Sequence, residues 1–292
     1  MRGRLFLTLT LTSSLMAGLL LPLSNAWAVD ASYRDAAHIS ASHDAAASDK
    51  APLPVSHLMQ ARNRHNLQDL GASSYKAVTA FYLFCALNRD PEQLKKMQAQ
   101  FQEGDALVKK LNDGDIADKW GKLKQAAASA HFNDEGIVAP VSIHAVDAAL
   151  DNLTQNLSSA KEQKLLTGNI SADKMADMLY DEFVLMQTMT TVYLHKSTSN
   201  QSDSSVTTGP SEDPQENIDS LSNRFTSQLG QLNRYYGQNP QVGAILKEVA
   251  TKWAFIKGSL VNASHENVSF IVGRYNEQIT DRLLTALEDS MS

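Results

Sequence analysis

The chain has 292 residues, of which 43% are hydrophobic, 7% aromatic and 20% charged, with 14 Gly, 8 Pro and a single Cys. An ordinary apolar fraction with so little Gly and Pro excludes a disordered or collagen-like polypeptide, and one cysteine excludes a disulfide-stapled module. With 32 acidic against 26 basic side chains, the net negative charge argues against a broad nucleic-acid footprint, because phosphate would be repelled.

Residues 1–28 read as a secretory signal peptide. Arg2 and Arg4 supply a positive start, Leu5 to Leu23 an apolar core interrupted by Thr, Ser and Pro22, and Ala26-Trp27-Ala28 the small residues that a signal peptidase reads. Removing them takes away two arginines and no acid, so the balance moves to 24 basic against 32 acidic side chains. The expected product is acidic and exported, periplasmic or secreted, with no stable membrane span once the signal is gone. Residues 29–55 are rich in Ala, Ser, His and Asp and have no apolar period, the composition of a flexible leader.

From residue 56 the apolar spacing is helical nearly throughout. The first half predicts helices over 56–89, 91–112, 115–131 and 141–166, and the second over 172–197, 214–236, 240–262 and 265–289. In the last of these, Val268, Ile271, Val272, Tyr275, Ile279, Leu283, Leu284 and Leu287 recur at three- and four-residue steps, one stripe of an amphipathic helix. Val242, Ile245, Leu246, Val249, Trp253, Ile256 and Leu260 make a comparable stripe before it. Asp90-Pro91, Asp213-Pro214 and Asn239-Pro240 each pair a capping side chain with proline at the first helical position. Ser171 has the look of a further cap, and Asn112-Asp113-Gly114-Asp115 that of a turn between helices. The Ser-rich stretch 197–211 reads as a disordered loop.

A weak internal repeat runs through this pattern. Thr79-x-x-Tyr82-Leu83, Asp90-Pro91, Phe101 and Trp120-x-x-Leu123-Lys124 recur in order as Thr190-x-x-Tyr193-Leu194, Asp213-Pro214, Phe225 and Trp253-x-x-Ile256-Lys257. The fold class expected is all-α, an antiparallel up-down helical bundle of two duplicated three- or four-helix units, residues 56–168 and 169–292, sharing one core or holding two. Tyr82, Phe101, Trp120, Tyr193, Phe225, Trp253 and Tyr275 are its predicted structural core.

The long helix reaching Tyr82-Leu83 or Tyr193-Leu194, the following Phe101 or Phe225, and the later Trp120 or Trp253 motif resemble the periplasmic helical-bundle sensor modules of nitrate sensor kinases and type IV pilus chemotaxis transducers. The resemblance covers about residues 56–262 and is architectural. It lacks the Arg-Met-x-x-Gln signature of those first helices, so no ligand residue carries over from it.

Chemistry-bearing motifs are scarce. The sequence has no His-Glu-x-x-His, Cys-x-x-Cys or Glu-x-x-His pair for a metal, and no cofactor fingerprint. Ser171-Ala172-Asp173-Lys174 lacks the companion elements of penicillin-recognising enzymes. Asp134-Glu135 and Asp181-Glu182 are neighbours whose side chains diverge on a helix, so neither is a prepared acid/base couple. Cys85 sits in an apolar run as a small hydrophobe. The aromatic residues, among them Tyr75, Phe81, Phe84, Tyr235 and Tyr236, read as core, and Arg62, Arg64, Arg89, Arg234 and Arg274 as solvated or ion-paired. No catalytic, metal or cofactor residue is assigned, and the ligand-binding residues stay open. The function expected is a non-enzymatic, exported helical protein that binds an envelope protein or a small ligand. Two alternatives are a structural or secretion accessory subunit and an enzyme whose site assembles from distant residues.

Overall fold

The computed structural model describes residues 55–167, 173–199, 214–261 and 268–290. The expected signal peptide, residues 29–54 of the expected leader, Ser171, Asp213 and residues 200–211 of the predicted loop lie outside them, while Val55, the last residue of that leader, opens the first helix. Among the described residues eight helices follow one another: α1 (Val55–Ala86), α2 (Pro91–Leu111), α3 (Gly114–Ala128), α4 (Pro140–Leu166), α5 (Lys174–Ser199), α6 (Pro214–Tyr235), α7 (Pro240–Val261) and α8 (Ser269–Ser290). The fold is an all-α helical bundle, as its sequence period demands.

Local chemistry sets the helix ends. Asp90 Oδ1 accepts from the Glu92 amide ahead of Pro91, and Asn239 Oδ1 from the Gln241 and Val242 amides around Pro240. The α2–α3 turn needs one left-handed residue, and Asn112 supplies it at φ 51°, a conformation its short polar side chain tolerates. Asp113 then caps α3. At the start of α5 the cap is Asp173, whose Oδ1 accepts from the Met175 and Ala176 amides, two residues later than the Ser171 read from sequence.

Several boundaries differ from expectation; α1, for one, ends at Ala86 rather than 89, where Asn88 and Arg89 turn left-handed at φ 53° and 63°. The expected loop begins at 197, but α5 continues to Ser199 because Thr198 turns its hydroxyl back onto the Leu194 and His195 carbonyls and Ser197 meets Ser269 of α8 at 3.1 Å. α3 stops at Ala128 rather than 131, since the chain beyond turns into an isolated bridge between Phe132 and Val138.

Within α1–α4 and within α5–α8, helices adjacent in sequence pack as antiparallel neighbours. In the first half α1 packs on α2 and α4, and α3 on α2 and α4; α5 to α8 repeat that scheme. The two sets meet along α1 and α5. These run parallel, since Arg64 pairs with Asp177, Tyr75 with Phe183, and Thr79 with Gln187 in rising order along both. The described residues all belong to a single compact unit with one continuous core. From Ala77 to Cys85 every residue of α1 is buried, so this helix shows water no face there.

Of the seven aromatic residues expected inside, Tyr82, Phe101, Trp120, Tyr193, Phe225 and Trp253 are buried. Tyr275 is half-buried and stacks on the exposed Phe255 at 4.8 Å. The buried face of α8 runs through Val272, Asn276, Ile279, Leu283 and Leu287, so Tyr275 and the exposed Ile271 fall on its border.

Trp120 and Trp253 sit in matching surroundings. Trp120 packs edge-on against Phe101 while its Nε1 and the Lys124 ammonium both donate to Asp105. Trp253 packs against Phe225 while its Nε1 and Lys257 both donate to the Thr226 hydroxyl. On the first shelf a glycine is obligatory, because a Cβ on Gly104 would lie 2.1 Å from the Trp120 ring.

Candidate functional site

The helical stripes that build the core are broken, where α8 crosses the α1–α5 pair, by side chains that are neither apolar nor exposed. Thr79 of α1, Gln187 and Thr190 of α5, and Asn276 of α8 are each at most 3% exposed. They satisfy one another. Thr79 Oγ1 donates to Gln187 Oε1, Asn276 Nδ2 donates to the same oxygen at 3.3 Å, and Thr190 Oγ1 donates to Asn276 Oδ1 at 3.1 Å. Buried polar groups are tolerated when paired in this way. With Oε1 engaged twice, Gln187 keeps its NH2 group as a donor.

That network floors a cavity of about 260 Å³ between α1, α2, α5 and α8, close to the about 300 Å³ at which ligand clefts begin. Small residues make the room, with Ala80 on α1, Ala99 at the mouth on α2, and Gly273 on α8. Gly273 also lets α8 approach α1, since a Cβ there would come within 2.7 Å of the Leu83 side chain. One wall is Gln93 of α2, 8% exposed, whose Oε1 is buried without a hydrogen-bond partner. An orphaned buried acceptor carries a cost of about 1–3 kcal/mol. At the mouth stand two ion pairs one helical turn apart on α8, Lys96 with Glu277 and Lys76 with Asp281, both at 2.7 Å. Their side chains are substantially exposed, so the pairs contribute little to stability and part readily.

No family model, curated protein or solved structure matches this chain.

A second cavity, of about 190 Å³, opens between α1, α4 and α5. The buried Gln68 lines it with neither of its amide atoms hydrogen-bonded, beside Tyr75, Lys161 and Asp181. Near the opposite end of α1, Tyr82 Oη donates to Asp147 Oδ1 at 2.7 Å, and the His195 ring lies 6.1 Å from that of Tyr82 and 6.5 Å from that of His144. Burial raises the Asp147 carboxyl above its ordinary range, against the Tyr82 hydrogen bond and the two imidazoles. Among the described residues no group of three or more His, Cys, Asp or Glu is placed to hold a metal ion.

The arginines do not converge on an anion site. Arg64 is buried, donating to the Asp173 carbonyl at 2.8 Å and pairing with Asp177 at 2.6 Å. Arg89 lies over the Phe132 ring, and Arg234 and Arg274 are exposed; the Arg62 side chain lies outside the described ones. Burial pushes the Cys85 thiol up to about 12, leaving it protonated and unreactive.

The neighbours Asp181 and Glu182 part company as expected, Asp181 lining the second cavity and Glu182 fully buried. Neither Glu182 oxygen has a hydrogen-bond partner. Burial raises its carboxyl from 4.5 to about 9, against the Arg224 guanidinium and with the negative charge of Asp181 adding to it. The side chain therefore carries a proton at neutral pH.

Sequence reasoning missed Gln93, Gln187 and Asn276 as residues of note and weighed Glu182 only as the neighbour of Asp181. A signal existed: Glu182, Gln187 and Thr190 fall in register with Leu179, Phe183, Met186 and Met189, and Asn276 with Val272 and Ile279. A polar residue at a core position of a helical stripe marks a buried polar group.

Proposed function

We propose that this chain is an exported, non-enzymatic helical protein of the cell envelope that binds a small polar ligand in the cavity between α1, α2, α5 and α8. The observation that carries this reading is a cavity floored by a buried, mutually hydrogen-bonded set of amides and hydroxyls and rimmed by two exposed ion pairs, a lining of mixed polarity. The floor offers amides and hydroxyls, which orient a bound molecule, and the two carboxylates of the lining, Glu277 and Asp281, are each paired with a lysine at the mouth. Export rests on the pattern of residues 1–28. Among the described residues no helix is long and apolar enough to cross a membrane.

The test is a thermal-shift screen of polar metabolites on the wild-type protein and on Ala99→Trp, which fills the exposed mouth without touching the core. At a hundredfold excess over Kd a true ligand stabilises the wild type by about 2.7 kcal/mol. The same ligand leaves Ala99→Trp unshifted. Hits that shift both proteins alike, or no hits at all, would remove the cavity from consideration.

A partner protein is the second reading, favoured by the exposed Phe255, stacked on Tyr275, and by Ile271, which lies one turn from Tyr275 on α8. Capture from envelope extract by the wild-type protein, abolished by Phe255→Ser, is the expected result. Retention by Phe255→Ser would clear that surface of a role.

A further inference from the structure

Resting on the cavity itself and not on what it binds, we propose that the ion pairs Lys96–Glu277 and Lys76–Asp281 are two removable rungs across a longer trench, and that their parting sets which molecules reach the cavity floor. The trench follows from how the cavities adjoin. One of about 240 Å³, near the start of α8, shares Leu83, Gln93, Gly273, Lys96 and Glu277 with the central cavity. Another of about 320 Å³, near the end of α8, shares Lys76 and Asp281 with it. Each boundary therefore carries one ion pair. From Phe270 to Glu288 the three cavities follow α8 for about 27 Å along its axis.

The rungs are the part of this wall best able to move. α2 packs on α1, α8 on α5 and α7, and α2 and α8 barely touch each other. Across that gap the Lys96 ammonium holds both Glu277 oxygens, at 2.8 and 2.7 Å, and one turn further along α8 Lys76 holds Asp281 Oδ1 at 2.7 Å. Both pairs are substantially exposed. Water and salt compete for them, and a pair of this kind shifts an equilibrium by no more than about fivefold. The floor is built otherwise: Thr79, Gln187, Thr190 and Asn276 are buried and bonded to one another, so it stays in place when a rung parts. With both rungs in place they stand about 6 Å apart along the axis, and the space between them is closed off from its neighbours. With either parted, the central cavity runs on into the next, and a bulkier molecule can reach Ala80 and the floor.

The experiment reads access to the floor through a thiol placed beside it and needs no ligand. Ala80→Cys puts that thiol in the central cavity. The same proteins without it, whose one cysteine, Cys85, is buried, are the blanks and report any general loosening of the bundle. Labelling of Ala80→Cys by N-phenylmaleimide, bulky and uncharged, is expected to quicken about two- to fivefold on adding Lys96→Met, Glu277→Gln, Lys76→Met or Asp281→Asn. Sodium chloride at about 0.5 M should quicken it with both rungs intact and do little once Lys76→Met and Lys96→Met are combined. Removing the cation and removing the anion of one pair alter the local charge in opposite senses. A field effect on the thiol would therefore move the two rates in opposite directions, whereas a parted rung quickens both. Ser73→Cys, nearly isosteric and in the cavity beyond Lys76–Asp281, repeats the measurement should Ala80→Cys not fold. Opposite shifts within a pair, rates that none of the four substitutions changes, or quickening matched at Cys85 would each overturn the rungs. The thermal-shift screen judges the ligand separately, so either reading can fall without the other.

Discussion

Replacing Glu182 by Gln should make the protein more stable at pH 8 by about 4–5 kcal/mol and at pH 5 by less than about 1 kcal/mol. In the folded chain burial holds this carboxyl at about 9, whereas in the unfolded chain it titrates near 4.5. Below the lower value both states are protonated and the residue has no pH-dependent effect. Between the two, the unfolded state has released its proton and the folded state has kept it, so folding must take one up. Stability then falls by about 1.4 kcal/mol per pH unit as pH rises through that window. Gln fills the same space, carries no titrating group and removes the slope. Urea denaturation at several pH values measures it. Parallel wild-type and variant curves between pH 5 and 8 would show that Glu182 is ionised in the folded protein, and the account of its surroundings would be wrong.

A second large effect belongs to the Trp120 shelf. Trp120→Ala removes a buried indole, its ring contact with Phe101 and its hydrogen bond to Asp105, a loss of about 3–5 kcal/mol. Gly104→Ala tests the same shelf from the other side. By helix propensity alone it should gain about 1 kcal/mol. The added methyl, however, would overlap a ring that Phe101 and Asp105 hold in place, and overpacking of that kind costs about 1–3 kcal/mol. The net change should be destabilising in the wild type and should reverse sign when Trp120 is already Ala. A double-mutant cycle by chemical denaturation reads the coupling. Additive changes would mean that the indole is free to move aside.

Where the sequence was legible, its signals were local. The caps at Asp90 and Asn239, the turn at Asn112 and the apolar stripe of α7 are each written within a few consecutive residues, and the chain obeys them. Less legible was the rotation of α8. Its stripe is wider than the strip of helix that reaches the core, so Tyr275 and Ile271 satisfy the period yet fall on the border. The cavity was not legible at all. Its floor joins Thr79 to Gln187 and Gln187 to Asn276 across separations of 108 and 89 residues, and no spacing rule links positions that only the packing of α1, α5 and α8 brings together. The same holds for Gln93, which gains a role only because it lines a space that three other helices enclose.

The burial of α1 between Ala77 and Cys85, on the side of α5 as on the sides of α2 and α4, determines what can be cut from this molecule. Helices α1 to α4 taken alone would present to solvent the apolar strip that α5 and α8 now cover, and α5 to α8 would present its counterpart. Either fragment would be adhesive rather than autonomous, and only the undivided polypeptide shields both strips from water.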